Sequence, residues 1–232
     1  MSGASEAHWH ARIRGAGAIL FDFDGTLAPN LDLPDLRRRV TDLTLSRGVP
    51  EDVFAGRYIV EIITAGRAWL ALQDATVAAR YHADGHRLIT EFEVAAASRT
   101  RPFADVRPAL TLLRQHAKGL GVITRNCRAA VAAVFPDIAD YCGSVLTRDD
   151  VAYLKPDARH LRQALDELGC SADDAVMVGD GQLDMHSGRE LGLYCIGVLT
   201  GSSDRATLLA AGADVVLPRA AQLAEALQQA RC

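Results

Sequence analysis

The segment AILFDFDGT, residues 18–26, passes from four apolar residues directly into two carboxylic acids. A short, continuous apolar run of this kind is typical of a parallel strand that is buried on both faces. Gly25 supplies the backbone freedom that a tight turn after the strand needs. We therefore predict a buried strand that ends at Asp22 and places the carboxylates of Asp22 and Asp24 at one edge of a sheet.

Similar apolar runs recur along the rest of the chain, each ending at small or polar residues. They predict further strands at residues 120–123, 144–146, 175–178, 195–199 and 215–217, of which 144–146 is the weakest. Segments with helical spacing alternate with these runs, and Gly169 and Gly192 follow two of them, as glycine often follows a helix. This alternation predicts an α/β fold, with a doubly wound, Rossmann-like parallel sheet.

Residues 29–101 interrupt this alternation, because they hold three segments of helical spacing and no clear strand. Asp32 is a suitable N-cap for the first segment, and a break is expected near Gly66 in the second. We interpret the stretch as a helical module inserted after the first strand. Residues 1–28 and 102–232 then form the core domain, and residues 29–101 form an α-helical cap. The length of 232 residues agrees with one core domain plus an appendage, at roughly 150 residues per domain.

Composition and charge exclude several classes of protein. The chain is 49% hydrophobic and 23% charged, which is ordinary for a protein with its own core. Its formal net charge of −4 lacks the basic excess with which nucleic-acid-binding proteins neutralise phosphates. No apolar stretch approaches the ~18 residues of a membrane span, and the five scattered cysteines show no disulfide or zinc spacing. We expect a cytoplasmic protein, monomer or homodimer, that binds neither nucleic acid nor membrane.

Pairs of acids follow two of the predicted strands, at the sheet edge where open parallel sheets bind ligands. Asp22 and Asp24 follow the first strand, where one carboxylate can act as a nucleophile and a second can transfer protons. Asp180 and Asp184 follow the strand at 175–178, at a spacing that lets both reach one hard cation. An acidic turn at a strand end can also be purely structural, so each pair alone leaves both interpretations open.

Two further strand ends carry groups that can bind an anion. Thr124, Arg125 and Asn126 lead into a predicted helix, where a hydroxyl and exposed N–H groups suit a phosphate. Thr124 could equally cap that helix. Lys155 lies between a strand and a helix, and is either a solvated surface charge or directed into the same cleft.

Together, these four strand ends resemble the signature of haloacid dehalogenase superfamily hydrolases, in the phosphoglycolate-phosphatase-like branch that carries a helical cap. The matched positions are Asp22 to Thr26 for the first motif, Thr124 for the second, Lys155 for the third, and Gly179, Asp180 and Asp184 for the fourth. The resemblance extends from about Ala16 to the end of the chain. It implies Mg²⁺-dependent hydrolysis of a small phosphorylated metabolite.

The resemblance implies that Asp22 is the nucleophile, which forms an aspartyl-phosphate. It implies that Asp24 first protonates the leaving oxygen and then deprotonates the water that hydrolyses the intermediate. The acid at position 24 favours phosphoryl transfer over carbon–halogen cleavage, since a halide leaves without a proton. A phosphatase acting on a phosphomonoester is thus the leading hypothesis, and a sugar phosphomutase of the β-phosphoglucomutase kind is the alternative. A non-catalytic phosphoacceptor or binding protein is disfavoured by the chain length and the inserted module.

The resemblance also implies two sets of binding residues. The substrate phosphate is bound by Thr124, Arg125, Asn126 and Lys155. The cofactor Mg²⁺ is held by the Asp22 carboxylate, the Asp24 main-chain carbonyl, Asp180 and Asp184. The ion and Lys155 offset the repulsion between an acidic nucleophile and an anionic phosphate.

Overall fold

The computed structural model describes residues 3–116 and 119–228 of the chain. It divides into two compact units, one made of Met1–Asn30 and Arg99–Cys232 and the other of Leu31–Ser98. None of the helices in the described part of the chain has the length and apolarity that a bilayer span requires.

A six-stranded parallel sheet forms the centre of the first unit. Its strands are β1 (Ala18–Phe21), β2 (Gly119–Ile123), β3 (Ser144–Leu146), β4 (Ala175–Gly179), β5 (Tyr194–Val198) and β6 (Val215–Leu217). They lie in the order β3-β2-β1-β4-β5-β6, and every neighbouring pair is parallel. The predicted doubly wound sheet is confirmed, including its weakest strand, because buried parallel strands are what continuous apolar runs indicate.

Both units contain helices, and those of the first unit connect and cover these strands. Within the described residues they are α1 (Gly3–Gly15), α2 (Leu33–Ser46), α3 (Ile59–Ala71), α4 (Ala75–Ala97), α5 (Val106–Gln115), α6 (Arg128–Val134), α7 (Arg159–Leu168), α8 (Gln182–Glu190), α9 (Arg205–Ala210) and α10 (Glu225–Gln228). Short 3₁₀ helices lie at Glu51–Val53, Ile138–Asp140, Ala172–Asp174 and Ala220–Ala224. Helices α2 to α4 belong to the second unit, and the others belong to the first.

The register of the sheet decides which side chains meet the helices. Leu20 lies opposite Met177 on the neighbouring strand, and Met177 lies opposite Cys195, so the three side chains share one face. Leu165 of α7 and Met185 of α8 are buried in the same hydrophobic cluster. Each large apolar side chain removed from water contributes about 1.5–3 kcal/mol. This packing holds in place the strand ends that carry the polar residues.

Helix α1 lies in a segment whose polar character does not predict it. Trp9 and Ile13, four residues apart, are both buried and form the apolar stripe of the helix. The guanidinium carbon of Arg12 lies 5.3 Å from the centroid of the Tyr194 ring. Nη1 of Arg14 donates a hydrogen bond of 3.2 Å to a carbonyl of α10. These contacts attach α1 to the first unit.

The second unit has its own hydrophobic core, to which all three of its helices contribute. Val40 of α2, Ile62 of α3 and Ile89 of α4 are buried in it. The predicted N-cap of α2 is confirmed, because Oδ1 of Asp32 accepts the N–H of Asp35 at 3.0 Å.

The predicted break near Gly66 is wrong, because α3 runs without interruption through that residue. Gly66 is buried, and a Cβ there would lie 2.5 Å from the hydroxyl oxygen of Tyr81 in α4. A glycine is therefore needed at this position because α3 and α4 approach each other closely, and it does not mark the end of a helix. The interruption lies earlier, at residues 54–58, between the 3₁₀ helix and α3.

Candidate active site

The sheet order reverses beside β1, because β2 and β3 lie on one side of it and β4, β5 and β6 on the other. In open α/β sheets such a switch point forms a crevice at the carboxyl ends of the strands. Asp22 directly follows β1, and its N–H donates a hydrogen bond of 2.9 Å to the carbonyl of Val178 in β4. Asp180 directly follows β4, so two neighbouring strands deliver both acids to this crevice.

Lys155 joins two of the acids. Its Nζ donates hydrogen bonds of 2.6 Å to Oδ1 of Asp22 and 2.6 Å to Oδ1 of Asp184. The side chain is only 2% exposed, so the interpretation of a solvated surface lysine is wrong. A single buried ammonium group therefore connects the chain segments that follow β1, β3 and β4.

Asp184 uses its two carboxylate oxygens separately. Oδ2 accepts the N–H of Gly181 at 3.0 Å at the start of α8, and Oδ1 accepts from Lys155. A Cβ at Gly179 would overlap the Asp184 carboxyl group, so the chain needs a glycine at that position. The first turn of α8 thereby turns Asp184 back towards the end of β4.

Asp22, Asp180 and Asp184 form a buried group in which one carboxylate oxygen of each lies within 4.8 Å of the others. Three carboxylates exceed the single positive charge of Lys155, so the ionised group has surplus negative charge. Mg²⁺ prefers oxygen ligands, so this donor set fits the ion. Across the residues that the structure describes, no other group of three or more acidic, histidine or cysteine side chains is arranged in this way.

Burial changes the protonation of this group. It raises the pKa of Asp22 and the pKa of Asp184 to about 6, although Lys155 opposes the change. Burial and the neighbouring Asp184 also raise the pKa of Asp180. Burial alone would lower the pKa of Lys155, but the carboxylates of Asp184 and Asp22 hold it above its usual range. The acids thus ionise at a cost that a bound cation would offset.

Asp24 is contacted by the loop that follows β2. Nδ2 of Asn126 lies 3.1 Å from each carboxylate oxygen of Asp24, and Oγ1 of Thr124 donates to Oδ2 of Asp24 at 3.4 Å. The alternative in which Thr124 caps the next helix is wrong. The residue before α6 is Cys127, and Oγ1 of Thr124 accepts the N–H of Asn126 at 3.0 Å. The loops after β1 and β2 are therefore joined through Asp24.

Arg125, predicted to bind phosphate beside Thr124, reaches the loop before α7. Its Nη1 donates to the main-chain carbonyl of Lys155, and its own carbonyl accepts from Nη1 of Arg148 at 2.8 Å. Arg125 thus links the loops after β2 and β3. Its contact with a substrate phosphate stays a prediction.

A match to a protein-family model shows which family the chain belongs to. Residues 19–198 match the model of the haloacid dehalogenase-like hydrolases. The chain belongs to this family. The resemblance that the four strand ends indicate is thereby confirmed, and the expectation that the protein is a hydrolase is confirmed with it.

Relatives of this hydrolase align along most of their length. The hydrolase is 30% identical to the pyrophosphatase PpaX of Bacillus velezensis over 216 residues, covering 89% of this chain and 94% of the relative. It is 28% identical to a phosphoglycolate phosphatase of Yersinia pseudotuberculosis over 224 residues, covering 93% of each. CbbY of Rhodobacter sphaeroides, solved in complex with phosphate, is 25% identical with a TM-score of 0.62 over 90% of this chain and 96% of its own. A hydrolase from Pseudomonas syringae shares the fold at 19% identity, with a TM-score of 0.64 over 92% of this chain and 98% of its own.

Two residues of the hydrolase that sequence reasoning missed orient Asp180. Ser202 donates to Oδ2 of Asp180 from its N–H at 2.7 Å and from its hydroxyl at 3.2 Å, and Nδ2 of Asn30 lies 3.4 Å from the same oxygen. Gly201 permits this approach, because a Cβ there would overlap the Asp180 carboxyl group. The sequence did contain a signal for Ser202. Small and polar residues, Thr200 to Ser202, follow the apolar strand β5, and residues of the same kind follow the other strands of the site.

Proposed function

We propose that this hydrolase is a Mg²⁺-dependent phosphatase that releases phosphate from a small phosphorylated metabolite. The observation that carries the proposal is the buried junction of Asp22, Asp184 and Lys155, with Asp24 two residues after the first acid. A nucleophilic acid, a fixed positive charge and a second acid are the groups that two-step phosphoryl transfer needs. The names of two relatives, a pyrophosphatase and a phosphoglycolate phosphatase, support phosphoryl chemistry.

Asp22 acts as the nucleophile in this proposal. Lys155 donates to its Oδ1 at 2.6 Å, and the hydroxyl of Thr26 lies 3.4 Å from its Oδ2. These contacts limit rotation of the carboxylate and so prepare one oxygen for attack on phosphorus. The bond from Asp22 to phosphorus forms as the bond from phosphorus to the leaving oxygen breaks.

Asp24 transfers the protons of both steps. It first gives its carboxyl proton to the leaving oxygen, so that a neutral alcohol departs. It then takes a proton from the water that attacks phosphorus in the aspartyl-phosphate, which releases inorganic phosphate and restores Asp22. The protons balance, because Asp24 regains in the second step what it gave in the first.

Thr124 and Lys155 bind the phosphoryl oxygens. The N–H of Asn126 donates to Oγ1 of Thr124 at 3.0 Å. This bond orients the Thr124 hydroxyl, and it already uses the N–H that could otherwise bind phosphate. Lys155 places its charge beside the nucleophile, where phosphate must approach. We therefore expect Thr124 and Lys155 to contribute more to phosphate binding than Arg125 and Asn126, which the family resemblance also places there.

The acids Asp22, Asp180 and Asp184 would hold Mg²⁺, together with the main-chain carbonyl of Asp24. The bound ion would offset the repulsion between an anionic nucleophile and an anionic phosphate. Ser202 and Asn30 donate to Asp180 and so hold its carboxylate in place.

Substrate choice is assigned in this proposal to the helical unit Leu31–Ser98, acting as a cap. The predicted division into a core and a cap at 29–101 stays a prediction. The names of the relatives indicate phosphoglycolate and pyrophosphate as the first substrates to test. A sugar phosphomutase remains the second candidate, because Asp22 and Asp24 serve both reactions.

A phosphate-release screen tests the proposal. The purified protein would be assayed on phosphoglycolate, pyrophosphate and hexose phosphates, with Mg²⁺ and with excess EDTA, beside the variant Asp22→Asn. We expect stoichiometric phosphate release that needs Mg²⁺ and is lost in the variant. Full activity in EDTA would contradict the metal role, and an isomerised sugar phosphate without free phosphate would identify a mutase.

A further inference from the structure

We propose that Asn126 is a positioning residue for Asp24, whose side-chain amide directs the Asp24 carboxyl group towards the leaving oxygen of the substrate. This inference rests on the proposed phosphatase function. It differs from the family resemblance, which places Asn126 among the phosphate-binding residues. The amide contacts Asp24 in the structure, at 3.1 Å from each of its carboxylate oxygens.

The orientation of the Asn126 amide follows from its second contact. Its oxygen, Oδ1, accepts the N–H of Cys127 at 2.8 Å. A main-chain N–H can only donate, so the oxygen must face Cys127 and the NH₂ group must face Asp24. Asn126 is 3% exposed, so water competes little for either contact. The amide is thus a fixed donor, held at the start of α6 and aimed at Asp24.

Asn126 reaches Asp24 from a distant part of the chain, whereas Asp24 itself lies on a tight turn. It is followed by Gly25, whose φ of +82° lies in the left-handed region that glycine favours. The amide that contacts Asp24 comes from a position 102 residues further along the chain. Asn126 therefore ties a carboxyl group on a tight turn to the rigid start of a helix.

The arrangement also determines which kind of hydrogen bond Asn126 makes with Asp24. Asn126 presents N–H donors, and Thr124 adds a hydroxyl donor at 3.4 Å, so this side of Asp24 accepts hydrogen bonds. Asn126 offers Asp24 no acceptor, because its amide oxygen faces the N–H of Cys127. It can therefore hold the Asp24 carboxyl group only by donating to it.

The leaving group of the substrate separates this role from a structural one. p-Nitrophenolate departs without a proton, whereas the alkoxide of phosphoglycolate needs one, and kcat/KM reports only the steps through formation of the aspartyl-phosphate. We expect Asn126→Ala to lower kcat/KM for phosphoglycolate about 100-fold, the lower end of the usual contribution of general acid catalysis. The value for p-nitrophenyl phosphate should fall by less than about 5-fold, since its cleavage does not use that acid.

Asn126→Asp is the matched variant, because it keeps the shape and an oxygen for the Cys127 N–H but turns an oxygen towards Asp24. It should show the same selective loss, with an unchanged circular-dichroism spectrum indicating that the fold persists. Ser144→Ala, which removes a buried hydroxyl bonded to Glu167 at 2.7 Å, is the control and should affect both substrates equally.

A double-mutant cycle completes the test. Asp24→Asn removes the acid, so adding Asn126→Ala to it should cost phosphoglycolate cleavage less than about 3-fold more. Equal losses on both substrates, or full additivity in the Asp24→Asn background, would overturn the inference while leaving the phosphatase function standing. A wild-type protein without turnover of any phosphomonoester would instead contradict the proposed function itself.

Discussion

Nζ of Lys155 lies 2.6 Å from Oδ1 of Asp22, although 133 residues separate them in the chain. The same ammonium group lies 2.6 Å from Asp184, so one cation serves two buried acids. These contacts join the loops after β1, β3 and β4, and the proposed function gives the same residues a part in catalysis. Breaking these contacts should therefore affect stability and turnover together.

Lys155→Met leaves Asp22 and Asp184 buried without their cation. We expect the free energy of unfolding to fall by about 3–5 kcal/mol at pH 8, the usual cost of removing one partner from a buried ion pair. Urea denaturation of the metal-free protein measures it. Arg159→Met, which removes a solvent-exposed pair with Asp157, is the matched control and should leave the urea midpoint unchanged. Equal midpoints for both variants would contradict the role given to Lys155.

Asp22→Asn should become more stable relative to the wild type as the pH of the metal-free protein rises from 5 to 8. The pKa of Asp22 is raised from 3.8 to about 6 in the folded state, so its stabilising effect is present below pH 3.8 and is lost as the pH rises through 6. The variant avoids this loss, because asparagine does not ionise. We expect the melting temperature of the variant minus that of the wild type to be larger at pH 8 than at pH 5, by an amount equivalent to about 1–3 kcal/mol. A difference that does not change between pH 5 and pH 8 would contradict the burial of an ionised Asp22.

Mg²⁺ affinity should fall as the pH decreases through 6. Asp22 and Asp184 both have a pKa of about 6 without metal, so below that pH the ion must displace protons from its ligands. Isothermal titration calorimetry at pH 5, 6 and 8 measures the affinity and the protons released. A constant affinity across this range would show that Asp22 and Asp184 are not the ligands. The variant Asp180→Asn should weaken Mg²⁺ binding at every pH.

Gly201→Ala should weaken Mg²⁺ binding by about 10-fold or more without unfolding the protein, because a displaced ligand loses the geometry that its neighbours maintain. The added Cβ overlaps the Asp180 carboxyl group, which must move from its bonds to Ser202. Gly15→Ala is the matched control, since a Cβ there meets no atom within 4 Å. Unchanged calorimetric affinity in Gly201→Ala would contradict the proposal that Asp180 is a ligand of Mg²⁺.

Local patterns in the sequence were sufficient for the sheet and for the acids of the site. Buried parallel strands are apolar throughout, and their polar ends mark the crevice, so the ends of β1 and β4 identified Asp22 and Asp180. The sequence leaves two interpretations of Lys155 open, because a lysine side chain is also stable in water. Its hydrogen bond to Asp22, from a distant part of the chain, shows that it points into the crevice.

Contacts between distant segments explain what the sequence did not predict. The sequence predicts a helix break near Gly66, whereas the structure requires a glycine there because the side chain of Tyr81 from another helix lies so close. Ser202 and Asn30 reach Asp180 across 22 and 150 residues of chain, and no local pattern records that. The direction of the Asn126 amide depends on the N–H of Cys127, which is a matter of loop geometry and not of residue type.

Acid-quench mass spectrometry on Asp22 tests the central claim most directly. Protein turning over phosphoglycolate with Mg²⁺ would be quenched in acid, reduced with borohydride and digested, so that an aspartyl-phosphate becomes homoserine at that position. We expect homoserine at residue 22 in the wild type and none in Asp22→Asn, because only the carboxylate of Asp22 can form the aspartyl-phosphate. An unmodified Asp22 during steady turnover, or phosphate release by Asp22→Asn at the wild-type rate, would contradict it.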